Sequence, residues 1–320
     1  MGTIAKPLLL TTSSVAELLQ VSPSTVKRWC EEGSLESRRT PGGHRRITLS
    51  DALDTARARG ISTFLDYFHP WESNVWLALT DVATHQEYAR LHNLALAWLA
   101  RGETELMGRL WVEVARRPEI SFSEFLDRGI QGFMSLVGRE WLKGRLAIGE
   151  EHMATQTIFE SFIHLRPGWL DPRPSMDVGE PPPVAVVGAM EGDQHELGAM
   201  AIRVLLEREG WRVYYLGGNV PVEELAKVQR AHGASLVCIS FSPNRRLPDL
   251  RRAVRVLGGT YRPDLPYSLV LGGGMEPFSE HQIPDGPFES CTVSRSAGDF
   301  LDWLKRRSGT EAPNRSWRVA

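Results

Sequence analysis

Cysteine is scarce in this chain, with three in 320 residues: Cys30, Cys238 and Cys291. They lie far apart, without zinc-site spacing or a paired framework. This excludes a disulfide-stapled scaffold and a structural zinc knot, and fits a reducing cytoplasm. Long hydrophobic runs are missing too. The apolar run at Leu8-Leu9-Leu10 is too short for a signal peptide, and no stretch approaches the roughly 20 apolar residues of a membrane span. A cytoplasmic protein with no membrane partner is expected. Neither sign of charge dominates, since 37 Lys and Arg oppose 39 Asp and Glu for a net −2. There is no internal repeat. What remains, 42% hydrophobic and 24% charged residues, is ordinary for a soluble chain long enough for two or three domains.

The charge is unevenly spread. Residues 1–60 carry nine Lys and Arg against six Asp and Glu, a net +3, which leaves −5 for the remainder. Ser14-Val15-Ala16-Glu17 fits a capping box, and Val15, Leu18 and Leu19 form one apolar helical face. Ser22-Pro23 reads as an N-cap followed by proline at the first helical position. The helix this predicts over 23–32 buries Val26 and Trp29 and turns Ser24, Thr25, Lys27 and Arg28 outward. A recognition helix meets base edges with such N-terminal residues. Next comes Arg38-Arg39-Thr40-Pro41-Gly42-Gly43-His44-Arg45-Arg46, in which Pro-Gly-Gly can turn between two short basic strands to make a wing. Arg39, Gly43, His44, Arg45 and Arg46 join the helix residues as candidate DNA contacts.

Residues 71–167 have helical periodicity and few β-branched runs. Four helices are expected, over 75–102, 103–115, 121–143 and 148–165, with breaks at Gly102, Arg117-Pro118 and Gly144. Residues 167–183 are rich in proline, glycine and charge and read as a linker. Beyond it, β-rich runs at 184–187, 211–216, 236–240 and 268–271 alternate with helical segments at 195–209, 221–232 and 247–257, which predicts a doubly wound parallel sheet. Asp193-Gln194-His195-Glu196-Leu197-Gly198 follows the first strand, where ligands of open parallel sheets gather. A neutral imidazole is a good transition-metal ligand, and its second ring nitrogen usually needs a carboxylate partner. Asp193 is placed to serve His195 in that way. Gly198 leaves room for a bulky ligand to pass close to the helix backbone.

Asp193-x-His195-x-x-Gly198, then Ser240-Phe241-Ser242, then Gly272-Gly273-Gly274 together resemble the binding domain for cobalamin. Residues 8–60 resemble the winged helix of the MerR family. Trp141 followed after nine residues by Glu151-His152 resembles the signature of the CarH and LitR light-dependent repressors. The resemblance runs from Leu8 to about Arg307, in that family's domain order.

It implies a multidomain α and α/β architecture: a winged helix at 8–68, a four-helix bundle at 71–167, a Rossmann-like cobalamin domain at 183–307 and a disordered tail at 308–320. By resemblance the cofactor is adenosylcobalamin, a cobalt corrinoid bound base-off with His195 as lower axial ligand. Ser240 and Ser242 hold its nucleotide tail, and Gly272 and Gly273 line the slot for its benzimidazole. Trp141, Glu151 and His152 lie at the upper face. The implied protein is a repressor and not an enzyme, with no catalytic residue. Its partners are operator DNA and itself, as a tetramer assembled with the cofactor in darkness. Light then removes the adenosyl group and releases the assembly. Leu142 departs from the pattern, because the best-described relatives carry there a histidine that captures the upper cobalt position. Three readings stay open beside this one: a corrinoid-dependent mutase or methyltransferase component, a corrinoid carrier, and a regulator that does not answer to light.

Overall fold

The computed structural model describes residues 7–167, 181–242, 245–273, 283 and 286–307. Gly274, most of the linker and the tail at 308–320 lie outside the described residues. The chain forms two compact units, Met1–Leu94 and Ala95–Ala320.

In the first unit, helices α1 (Thr12–Leu18) and α2 (Pro23–Glu31) precede a hairpin of β2 (Arg38–Arg39) and β3 (Arg45–Thr48). Strand β1 (Leu9–Leu10) completes an antiparallel sheet of order β1-β3-β2, and α3 (Leu49–Ala58) follows. The expected capping box is displaced. Ser14 lies inside α1, and Thr11 is the cap, its hydroxyl accepting the Ser14 N–H at 3.0 Å. Ser22 caps α2 as its sequence requires, accepting from Thr25 N–H at 3.1 Å with Pro23 just inside. Val26 and Trp29 are buried in the core of this unit, and Arg59 lies 4.1 Å over the Trp29 ring. A 3₁₀ turn at Phe64–Phe68 leads into α4 (Glu72–His85).

The expected helix over 75–102 is two helices, α4 and α5 (Ala89–Leu99). Gln86 adopts the left-handed conformation (φ 54°) and ends α4. No glycine or proline announces that break, so apolar periodicity alone runs straight through it. Helix α6 (Thr104–Ala115) and α9 (Ile148–Leu165) lie close to their expected bounds. Between them the single helix expected over 121–143 begins as a short turn, α7 (Phe122–Glu124). It continues as a π-helix over Phe125–Gln131 and ends as α8 (Gly132–Leu142). A π segment widens the helix and recurs near functional sites.

The second unit also holds the five-stranded parallel sheet, order β5-β4-β6-β7-β8. Its strands are β4 (Val184–Ala189), β5 (Arg212–Tyr215), β6 (Leu236–Phe241), β7 (Ser268–Gly273) and β8 (Cys291–Ser294). Helices α10 (Leu197–Arg208), α11 (Val222–His232), α12 (Leu247–Gly259) and α13 (Ala297–Arg307) connect and cover them. Every residue of β6 is buried, as a central strand covered on both faces demands. Val186, Ile239, Leu269 and Leu271 of the strands meet Leu225 of α11 and Leu250 and Leu257 of α12 in one apolar cluster. The strand order reverses at β4, with β5 on one side and β6 on the other. That is the switch point at which such sheets open a crevice beyond their carboxyl ends. Sequence periodicity misses β1, the 3₁₀ turn, β8 and α13.

The helical part and the sheet part of this unit are joined by side chains. Asp127, in the π segment, accepts the N–H groups of Ala297 and Gly298 at 2.7 and 2.9 Å, capping α13. Arg166 forms a two-pronged ion pair with Glu207 of α10, at 2.7 and 2.8 Å.

Candidate functional site

The loop after β4 carries the candidate histidine, and α10 starts two residues later than its sequence suggests. Asp193 explains the delay. Its Oδ1 accepts the backbone N–H of His195 at 3.0 Å, holding that residue out of the helix. The same oxygen lies 3.1 Å from His195 Nδ1, and Oδ2 accepts the N–H of Ser242 at 2.7 Å, across the crevice at the end of β6. Asp193 is buried. Burial alone would raise its pKa, but hydrogen bonds from Ser242 and His195 outweigh it and hold the carboxyl below its usual range. Such an ionised carboxylate only accepts, so His195 Nδ1 must be the protonated nitrogen. That leaves the Nε2 lone pair on a ring whose side chain is 66% exposed.

This chemistry fits cobalamin better than a bare ion. Among the described residues no group of three or more His, Cys, Asp or Glu side chains could cage a metal. A single imidazole suffices only for a metal that brings its other ligands with it, as a corrin does with four nitrogens.

The rest of the expected cradle surrounds the crevice. Ser240 and Ser242 are buried at the end of β6. Gly272 and Gly273 pair with Ser240 and Phe241 on the neighbouring strand. Gly273 has φ 143°, and a Cβ there would run into the Phe241 carbonyl oxygen, so only glycine fits. The space beside Gly198 is taken by protein, since a Cβ would come within 2.8 Å of the Ser240 hydroxyl. Gly198 therefore keeps α10 close against β6.

Trp141 lies near the C-terminal end of α8, and Glu151 and His152 lie near the N-terminal end of α9. Trp141 is 45% exposed and Leu142 77%, unusual for such side chains, and Ile148 and Met153 are exposed nearby in sequence. His152 Nδ1 lies 2.6 Å from Glu151, which also accepts from the Thr155 hydroxyl at 3.1 Å. None of the three hydrogen-bonds to the Asp193 loop.

In the first unit, Ser24, Lys27 and Arg28 are exposed along α2 and Thr25 is half-buried. Arg39, Gly43 and His44 are exposed on the wing, where Gly43 (φ 79°) donates its N–H to Thr40 to close the turn. Arg45 is different. Its guanidinium is largely covered and bonds Glu31 at 2.9 Å, tying the wing to α2. Arg46 is half-buried and donates to the Arg45 carbonyl at 3.1 Å.

Sequence reasoning misses a second support beneath the loop. Asn219 accepts the Gly192 N–H on its side-chain oxygen at 2.7 Å and donates its own N–H to the Asp193 carbonyl at 2.8 Å. Tyr215 donates its hydroxyl to Glu196 at 3.0 Å, and Arg245 donates to the Glu191 carbonyl at 3.1 Å. The visible signal is the Gly217-Gly218-Asn219 turn ahead of Pro221.

Comparison with known proteins agrees with both halves. Residues 183–283 match the model of the B12 binding domain, and residues 9–51 match a helix-turn-helix domain. The HTH-type transcriptional repressor CarH of Myxococcus xanthus is 25% identical over 83% of this chain and 89% of its own length. The repressor CarA of the same organism is 30% identical over 44% of this chain and 46% of CarA. Dimethylamine corrinoid protein 1 of Methanosarcina acetivorans is 24% identical over 43% of this chain. The chain spans 63% of the length of that corrinoid protein. A helix-turn-helix domain and a B12-binding domain thus share one chain, with distant similarity to CarH and CarA. No helix among the described residues is long and apolar enough to cross a membrane.

Proposed function

We propose that this protein is a DNA-binding repressor whose assembly on its operator is set by adenosylcobalamin. The observation that carries the reading is an imidazole with a free Nε2, steadied by a buried carboxylate, in the same chain as a helix-turn-helix with a basic wing. In this reading residues 8–68 bind DNA, 71–167 cover the upper face of the cofactor and 183–307 hold it. His195 would bind the cobalt of the corrinoid and Asp193 would orient its ring. Ser240 and Ser242 meet the nucleotide tail in the slot that Gly272 and Gly273 keep open.

When bound, adenosylcobalamin supplies a weak cobalt–carbon bond that visible light can break. The residues of this chain do the rest. The exposed indole of Trp141, with Glu151 and His152, gives the helical part a surface to set against the adenosyl group. Helical and sheet surfaces of several copies then build the dark tetramer, and linked DNA-binding units gain the effective concentration that single copies lack.

A second reading, a regulator that senses cobalamin without light, is favoured by Leu142. Its aliphatic side chain cannot take the upper position of a metal, and it stands exposed next to Trp141. The likeness to a dimethylamine corrinoid protein favours an enzyme-component role for the sheet part alone. A basic winged unit has no use in that role.

Size-exclusion chromatography of protein loaded with adenosylcobalamin in darkness, before and after illumination, tests the proposal. The expected result is a large dark species that elutes later after light, with parallel loss of affinity for operator DNA. An unchanged elution volume overturns the light response and leaves the cobalamin sensor.

A further inference from the structure

The loop that presents His195 is held from below by one turn, the connection between β5 and α11. Gly217 and Gly218 lie so close beneath it that added Cβ atoms would come within 3.1 Å of the Glu196 carboxylate and 3.3 Å of the Asp193 carbonyl oxygen. Asn219 follows with φ 53°, one of only three non-glycine residues of positive φ among the described residues. A left-handed asparagine persists where its surroundings hold it. Here it is held on both sides. Its side-chain oxygen takes the Gly192 N–H, and its own N–H gives to the Asp193 carbonyl. The Tyr215 hydroxyl adds a bond to Glu196, the residue directly after the histidine.

We propose that Asn219 is a positioning residue for His195, fixing the backbone of Gly192 and Asp193 so that the carboxylate aims the imidazole outward. This rests on the reading of His195 as a metal ligand. Asp193 orients the ring through its side chain, but that aim is only as good as the placement of Asp193's own backbone. Asn219 is the residue that bonds this backbone at two consecutive positions. Partners one step removed from a metal ligand typically change affinity by about 10–100-fold when lost.

The experiment titrates full-length protein with adenosylcobalamin in darkness, following absorption spectrum and Kd. Hydrogen exchange of residues 190–196 is measured without cofactor. Asn219→Ala removes both the acceptor and the tolerance for positive φ. Asn219→Gly keeps the backbone conformation and removes only the acceptor, and Asn219→Asp retains both. The expected order is Kd raised about tenfold or more for Ala, an intermediate rise for Gly, and recovery with Asp. The Ala spectrum moves toward that of His195→Ala, and loop exchange quickens in the Ala and Gly variants.

A merely structural role would lower thermal stability without moving the spectrum. Should Asn219→Ala fail to fold, the Gly and Asp variants carry the comparison. Wild-type affinity and spectrum in Asn219→Gly, or no recovery in Asn219→Asp, overturns the proposal. His195→Ala separates the two layers. If it leaves the spectrum unchanged, the ligand assignment itself falls; if it alters the spectrum while the Asn219 variants do not, only the positioning role falls.

Discussion

Replacing Asp193 with asparagine confronts the site with a choice it cannot satisfy. The carboxylate accepts on both oxygens, from His195 N–H and Nδ1 on one side and from Ser242 N–H on the other, at 3.0, 3.1 and 2.7 Å. An amide has one acceptor and one donor end. With its oxygen toward His195, its NH₂ faces the Ser242 N–H in a buried place. Two opposed donors there cost about 1–3 kcal/mol, or a melting point lowered by about 2–4 °C per kcal/mol for a body of this size. With its oxygen toward Ser242, the NH₂ faces the His195 backbone N–H, again donor against donor, and also His195 Nδ1, so the ring must move its proton to Nε2. The lone pair needed for a metal is then gone. Asp193→Asn is therefore expected to melt early in either orientation, and in the second also to lose imidazole coordination. In the second case cobalamin affinity drops about 10–100-fold, the usual effect of losing a ligand's orienting partner. Calorimetry of the cofactor-free protein and spectral titration with adenosylcobalamin read the two outcomes separately. An unchanged melt combined with wild-type affinity and spectrum would refute the account of the loop.

Two further outcomes follow from the geometry. Gly273→Ala places a methyl group against the Phe241 carbonyl at φ 143°, so the cofactor-free protein should lose about 1–3 kcal/mol or more. Thermal denaturation checks it, and an unaltered melt would mean that the β6–β7 ends relax freely. Glu31→Ala should release Arg45 from α2 and strengthen non-specific duplex binding. The slope of log affinity against log salt should steepen by about one, since one more cation becomes available to phosphate. Fluorescence anisotropy at several salt concentrations measures this, and a slope that stays the same would place Arg45 away from DNA.

The residues legible in the sequence are those whose chemistry is local. Ser22-Pro23 names its own helix start because cap and first turn are adjacent, and Pro-Gly-Gly names its turn. Asp193 and His195 can be read as a pair because they are two residues apart and bond each other. What escaped was set at a distance. Gln86 ends α4 by a conformation its residue type does not advertise. The cap of α13 comes from Asp127, some 170 residues away in sequence. Gly198 in α10 has a packing partner, Ser240, on strand β6. Arg45 reads as a phosphate contact until the structure gives it Glu31. Asn219 carries no motif of its own, since its role exists only where two loops meet.

The link between the helical and sheet parts bears on what a signal must accomplish. Trp141 lies near the end of the helical run that includes the π segment, and Asp127 in that segment caps α13 with two hydrogen bonds. Bonds from a carboxylate to backbone N–H groups contribute about 1.5–3 kcal/mol each. Shifting a two-state population from 1:99 to 99:1 takes about 5.5 kcal/mol of differential binding. The two Asp127 bonds together are thus of that size, and the Arg166–Glu207 pair adds a second restraint at the C-terminal end of α9, so any rearrangement of the helical part against the sheet part must be driven by differential binding of at least that magnitude.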